Sequence, residues 1–108
     1  MTRVRYHPEE YHLSVEGHAG AGAYGEDVVC AGISVLSFTL IQAAEEFNMH
    51  LYLNETDGSL DVRCYPDEED EERCRFLFNV LADGFDMMAA KYPEYIKFTG
   101  GSYGNEER

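Results

Sequence analysis

The feature that most constrains the fold is a pattern that occurs twice: two short segments of alternating apolar and polar residues, then a long segment with helical spacing. In the first pair, Thr2 to His7 and Tyr11 to Val15, the alternation predicts a β-hairpin with one polar face. The second pair, Leu51 to Leu53 and Leu60 to Cys64, flanks Asp57-Gly58, which is typical of a tight hairpin turn. Two hairpins are therefore predicted, each followed by a helix.

The two long segments differ in how their apolar residues are distributed. The first helix is predicted to start at Glu26 and Asp27, whose charges suit the positive end of a helix, and its body is apolar on nearly every side. It is expected to pack on the sheet and also on a second helix or another subunit. The second helix follows Pro66, opens with the acidic run Asp67 to Glu72, and ends at Pro93.

The order of these elements predicts the fold class. Strand, strand, helix, strand, strand, helix, with a short last strand fitting Tyr95 to Thr99, predicts an α+β fold in two layers. Two helices would pack on one face of a mostly antiparallel sheet. The 108 residues suit one domain, which we expect to span residues 1–99, with a flexible C-terminal tail at residues 100–108.

The charge of the chain restricts its partners. Lys and Arg number 8 against 21 Asp and Glu, a formal net charge of −13. Nucleic acid is not expected as a direct ligand, because affinity for phosphate backbones comes largely from basic residues. The same negative field would attract a basic protein. The acidic run 67–72 is either a solvated helix start or part of the surface on which such a basic protein docks.

The distribution of apolar residues bears on the location of the protein. No run of eighteen consecutive apolar residues occurs, and residues 1–10 include Arg3, Arg5, Glu9 and Glu10 where a signal peptide needs an apolar segment. We expect a cytoplasmic protein without a membrane partner.

Three cysteines, Cys30, Cys64 and Cys74, are an odd number at wide spacings. This gives neither a disulfide framework nor a paired-cysteine zinc motif, so reduced thiols are expected, with no metal and no cofactor. Cys64 and Cys74 fall on the apolar sides of their predicted elements, which favours core positions for both.

Cys30 and His18 are the residues best placed for chemistry. Cys30 would lie about three residues inside the first helix, where unpaired backbone N–H groups and the helix dipole stabilise a thiolate. His18 ends the second strand, and the glycine-rich loop after it is long enough to return the imidazole to the helix start. From these residues alone, a catalytic pair and two ordinary structural residues both remain open.

A longer motif surrounds this pair. Residues 17–19 read Gly-His-Ala, residues 25–34 read Gly-Glu-Asp-Val-Val-Cys-Ala-Gly-Ile-Ser, and eleven residues separate His18 from Cys30. The two blocks and their spacing resemble the signature of the ribosomal-processing cysteine protease family, known as Prp or YsxB-like. The element order, the chain length and the segment from Tyr92 to Ile96 agree with that family.

The resemblance implies an activity and a site. Members of the family are homodimeric cysteine peptidases that remove a short N-terminal extension from large-subunit ribosomal protein number twenty-seven. The family nucleophile falls on Cys30 and the general base on His18, while Gly17, Asp27 and Ser34 match motif positions near the site. Ser34 follows Cys30 by four residues, so both belong to one helical face. Asp27 is left open as a helix cap, an orienting partner of His18, or both.

Two functions of different classes follow. The first is a cysteine endopeptidase acting on a basic ribosomal protein precursor. The second is a noncatalytic acidic module that binds a basic ribosomal or ribosome-assembly protein. In either case a homodimer is expected, because a second apolar stripe on the second helix, Phe76, Val80 and Met87, lies off its core-facing side.

Overall fold

The computed structural model describes residues 1–17, 24–47, 49–56 and 58–100, with the backbone alone at 24–27. Within these ranges the elements are β1 (Thr2–His7), β2 (His12–Glu16), α1 (Tyr24–Glu46), β3 (His50–Thr56), β4 (Ser59–Tyr65), α2 (Glu71–Lys91) and β5 (Ile96–Gly100). A single 3-10 turn, Glu68–Asp70, immediately precedes α2. Part of the acidic run predicted to open the second helix therefore forms this turn.

The strands form one sheet in the order β3-β4-β2-β1-β5. Both predicted hairpins are present, and β2 pairs antiparallel with β4, which joins them. Only β1 and β5 run parallel among the described strands. The predicted α+β fold, with a mostly antiparallel sheet and two helices, is confirmed.

The last strand is shifted by one residue from its predicted position. It runs from Ile96 to Gly100 instead of Tyr95 to Thr99, and Gly100 pairs with Tyr6. The domain therefore includes Gly100, which had been assigned to the tail. Residues 101–108 lie outside the described part of the chain, and the flexible tail stays a prediction.

The core lies between the sheet and the helices. The strands bury alternate residues as the period-two pattern requires: Val4, Tyr6, Leu13, Val15, Val62 and Cys64. Facing them, α2 contributes Cys74, Phe78, Leu81 and Phe85. The two helices pack closely at Gly32, where a Cβ atom would lie 2.7 Å from Cε of Met88. The expected packing of α1 on a second helix is thus confirmed.

The first helix begins at Tyr24, two residues before its predicted start at Glu26. Gly25 had favoured a loop there, yet a single glycine is tolerated in a helix at a cost of about 1 kcal/mol. Val29, Ile33, Leu40 and Ala44 of α1 are buried in the core.

By length and composition, Val28–Glu46 is apolar enough to cross a membrane, and 22% of that segment is buried inside the fold. A mostly buried core helix of a soluble protein and a signal sequence pass the same test, so length and composition alone are weak evidence for a membrane span. Because α1 contributes one face to the core and packs on α2, we interpret it as a core helix with an uncovered apolar face.

Candidate active site

Cys30 lies on the exposed side of α1. Its neighbour Val29 is fully buried, and Ile33 is buried one turn later, so the helix is anchored on the side away from the thiol. Ser34 is exposed on the same helical face as Cys30. The helix therefore presents a thiol and a hydroxyl together to solvent, as the motif predicts.

The position of Cys30 along α1 differs from the prediction. The helix starts earlier than expected, so Cys30 is its seventh residue and not about its third. Only the first four N–H groups of a helix lack intrahelical acceptors, and these belong to residues 24–27. Unpaired N–H groups therefore lie about one turn away from Cys30, and the predicted location of the thiol among them is wrong.

Gly17 holds the end of β2 in a conformation that few other residues adopt. Its φ is +102°, and a Cβ atom there would lie 2.5 Å from the carbonyl oxygen of Met1. Its N–H donates a hydrogen bond to the carbonyl of Gly58, at 2.8 Å, in the β3-β4 turn. These constraints explain why the motif has glycine at this position.

His18 itself lies outside the described residues, as does the rest of the segment 18–23. The side chain of Asp27 also lies outside them. The pairing of His18 with Cys30, and the orientation of His18 by Asp27, stay predictions.

The capping role considered for Asp27 does not agree with the backbone. Asp27 is the fourth helical residue of α1. An N-cap residue precedes the helix and has non-helical backbone angles, so Asp27 is not the N-cap. A carboxylate in the first turn still complements the helix dipole.

The other two cysteines are core residues, as predicted. Cys64 and Cys74 are both buried. They do not belong to the exposed surface around Cys30.

The acidic run forms a concentrated negative surface before α2. Carboxylate oxygens of Asp67, Glu69 and Asp70 lie within 4.8 Å of one another. Arg73 partly balances them, since its guanidinium lies 3.6 Å from Asp70. The imidazole of His50 lies 3.4 Å from Asp67. Exposed acidic groups commonly gather without a metal, so we interpret this cluster as a charged surface.

Comparison with known proteins agrees with the motif. A family model described as cysteine protease Prp matches residues 1–97. No curated protein matches the chain. A crystal structure of SMU.848 from Streptococcus mutans is similar, with 28% identity and a TM-score of 0.70, covering 91% of this chain and 90% of that one.

Two crystal structures of the essential ribosomal processing protease Prp from S. aureus share the fold. One is in complex with a substrate peptide and is 20% identical, and the other has a covalently linked product peptide and is 23% identical. In both comparisons the TM-score is 0.73, with 91% of this chain and 95% of the other covered. Because the family model spans nearly the whole chain, this protein belongs to the cysteine protease Prp family and is a cysteine peptidase.

Proposed function

We propose that the protein removes the N-terminal extension of the precursor of large-subunit ribosomal protein number twenty-seven, with Cys30 as nucleophile and His18 as general base. The observation that carries this proposal is the family match over residues 1–97 together with an exposed Cys30 at the motif position. The ribosomal substrate is supported by the motif resemblance and by the fold shared with the S. aureus protease.

The proposed chemistry is acyl transfer through a thioester. His18 takes the proton of Cys30, and the thiolate attacks the scissile carbonyl to give a tetrahedral intermediate. Collapse of this intermediate breaks the peptide C–N bond, and protonated His18 gives its proton to the leaving amine. Water, deprotonated by His18, then hydrolyses the thioester and returns Cys30 to its free state.

Charge supports a basic substrate. The chain carries a formal net charge of −13, and three carboxylates converge at the start of α2. A basic ribosomal protein would be attracted to this field at a distance, which raises its association rate. A cytoplasmic location is part of the proposal, because that substrate is assembled into ribosomes there.

The second function, a noncatalytic binding module for a basic ribosomal protein, has the same charge in its favour. It assigns no role to Cys30 or His18. The two functions therefore predict opposite results for the fate of the substrate.

The test is incubation with the same organism's precursor protein, followed by intact mass measurement. We expect a single shortened product from the extended precursor, no change in a precursor whose extension has been deleted, and no product with the Cys30→Ala variant. Binding of the precursor without any loss of mass would favour the module and contradict the proposed peptidase reaction.

A further inference from the structure

The charges of the chain are not evenly distributed over its surface. Four basic side chains project from the open face of the sheet, which is the face away from the helices: Arg3, Arg5, Arg63 and Lys97. Among the described strand residues, only Glu16 and Asp61 are acidic on the same face. The open face is therefore positive, although the formal net charge of the chain is −13. The net charge, from which nucleic acid is not expected as a ligand, does not describe this face.

Three of the basic residues meet where β1 pairs with β5, and we call Arg3, Arg5 and Lys97 the basic corner. Arg3 and Lys97 are register partners on neighbouring strands, and both are exposed. Neither has an ion-pair partner within the described part of the chain, whereas Arg5 contacts Glu16 at 3.3 Å. Like charges on neighbouring strands repel each other, so an anion bound between Arg3 and Lys97 would offset a local cost.

A row of planar side chains crosses four strands of the same face. Tyr52, Arg63, His12 and His7 are successive register partners on β3, β4, β2 and β1, and we call them the planar row. The rings of His7 and His12 are stacked, with centroids 5.4 Å apart, and Tyr52 is 54% exposed. Four strands at the usual spacing make the row roughly 14 Å long. Aromatic rings and guanidinium planes are the groups on which unpaired bases stack.

An open depression of about 410 Å³ lies at the β3 end of the planar row. Its lining comprises three members of the row and three further residues: Asn54, Asp61 and Tyr65. Nε2 of His12 lies 3.0 Å from Oδ1 of Asp61, which holds the imidazole in place. The Asp61 carboxylate would repel a phosphate but would accept a hydrogen bond from a base amino group or from the 2′-hydroxyl of ribose. Bases and sugars therefore suit this depression, whereas phosphates suit the basic corner.

We propose that the open face of the sheet binds single-stranded RNA, with phosphates at the basic corner and two or three bases on the planar row. An acidic protein segment would satisfy the basic corner but would give no use to the planar row. The site is separate from Cys30, which belongs to the helix layer.

The acidic remainder of the chain is compatible with this site. The acidic run reaches the open face at His50 on β3, whose imidazole lies 3.4 Å from Asp67. The basic corner lies at the opposite edge of the sheet, because β3 and β5 are the two edge strands. Exposed charges separated by more than about 8 Å are largely screened at physiological ionic strength.

Fluorescence anisotropy with the whole wild-type protein tests the proposal. The probe is a labelled RNA of about 12 nucleotides without self-complementarity. Its duplex, the single-stranded DNA of the same sequence and a glutamate-rich peptide are compared with it. Because the basic corner holds three charges, raising the salt concentration from about 50 to 200 mM should weaken RNA binding roughly 10- to 20-fold.

Two pairs of variants locate the site. Lys97→Glu should lower the salt dependence by about one phosphate contact, while Lys91→Glu, the same charge change on α2, should leave that dependence unchanged. Tyr52→Ala should weaken binding about 5-fold or more, because a base loses its stacking partner, and Tyr52→Phe should restore it. Circular dichroism checks that each variant is folded.

Single-stranded RNA bound more tightly than the other three probes, with losses confined to Lys97→Glu and Tyr52→Ala, would support the proposal. It is overturned if the wild type leaves the anisotropy of the RNA unchanged, or if Lys97→Glu and Lys91→Glu weaken binding equally. Duplex or DNA bound as tightly as the RNA would contradict the assignment to single-stranded RNA. Equal binding of the glutamate-rich peptide would mean that the face recognises negative charge alone, which also overturns it.

Discussion

At the scale of single residues, the three cysteines occupy two kinds of environment. Cys30 is exposed on α1, whereas Cys64 and Cys74 are enclosed between the sheet and α2. Alkylation by a small reagent requires contact with the sulfur, so exposure alone separates the three thiols.

Iodoacetamide labelling of the native, reduced protein should therefore modify Cys30 first. We expect one carbamidomethyl group per chain after brief treatment, none in Cys30→Ala, and three after unfolding in urea. Mass spectrometry of the intact protein provides the count. Equal labelling of all three thiols in the native protein would contradict the environments described.

Gly17 is the residue at which backbone geometry explains the motif most directly. Gly17→Ala should lower the free energy of unfolding by more than about 1 kcal/mol, since alanine disfavours a positive φ and its Cβ atom would contact the carbonyl of Met1. Urea unfolding measures the change, with Ser14→Ala in the preceding strand β2 as a control. A Gly17→Ala protein as stable as the wild type would mean that this position has no steric requirement.

At this scale, the sequence could predict that Cys30 and Ser34 share a helical face, but not the position of Cys30 along that helix, and the pairing of Cys30 with His18 stays a prediction. The spacing of Gly17, His18 and Cys30 identified the motif, and the helical period predicted that Ser34 shares a face with Cys30. The distance from Cys30 to the helix start could not be predicted, because Tyr24 and Gly25 have no strong preference that separates a loop from a first helical turn. Contacts between distant elements, such as the hydrogen bond between Tyr6 and Asn79, depend on packing and could not be predicted.

At the scale of elements, alternation was the most reliable signal. The first hairpin could be predicted because β1 and β2 bury alternate residues. In the second hairpin β4 has a buried face, whereas β3 is exposed except at half-buried Leu51, and Asp57-Gly58 indicated the turn. The parallel pairing of β5 with β1 could not be predicted from the five residues of β5. It depends on where α2 ends relative to the sheet.

A buried hydrogen bond joins β1 to α2. The hydroxyl of Tyr6 donates to Oδ1 of Asn79 at 2.8 Å, and burial raises the pKa of Tyr6 well above its ordinary value of about 10. In the unfolded chain this tyrosine ionises near pH 10, while in the folded state it keeps its proton. The contribution of Tyr6 to the free energy of unfolding is therefore fully present below about pH 10, and it is lost as the pH rises further.

The Tyr6→Phe variant should reveal this linkage. We expect a loss of about 1 to 2 kcal/mol at pH 8, because the buried oxygen of Asn79 loses its donor, and a smaller decline in stability above pH 10 than in the wild type. Urea unfolding at pH 8 and pH 10.5 measures both effects, with Tyr52→Phe on the exposed sheet face as a control. If the stability of Tyr6→Phe declines with pH as steeply as that of the wild type, Tyr6 is not the source of the decline.

At the scale of the whole molecule, the helices leave apolar side chains uncovered. On α2, Phe76, Val80 and Met87 have exposed fractions of 71%, 48% and 73%, and their spacing places them on one face. Val35 and Phe38 of α1 are exposed as well. An apolar surface of this kind on an otherwise highly charged chain favours self-association.

We predict a homodimer that buries the α2 stripe. Val80→Glu should shift the protein from dimer toward monomer, because a carboxylate would be desolvated in the interface. Light scattering at micromolar concentration measures the mass, and Thr99→Glu on the opposite face of the sheet is the matched control. Wild-type protein that is monomeric under these conditions would contradict the prediction.

The most direct test of the central claim compares kcat/KM for cleavage of the extended ribosomal precursor among the wild type, Cys30→Ala, His18→Ala and Cys64→Ala. We predict no cleavage above background for Cys30→Ala, a loss of about 10²- to 10⁴-fold for His18→Ala, and a nearly unchanged rate for folded Cys64→Ala. Circular dichroism checks that each variant is folded. Wild-type activity in folded Cys30→Ala would contradict the assignment of Cys30 as the nucleophile.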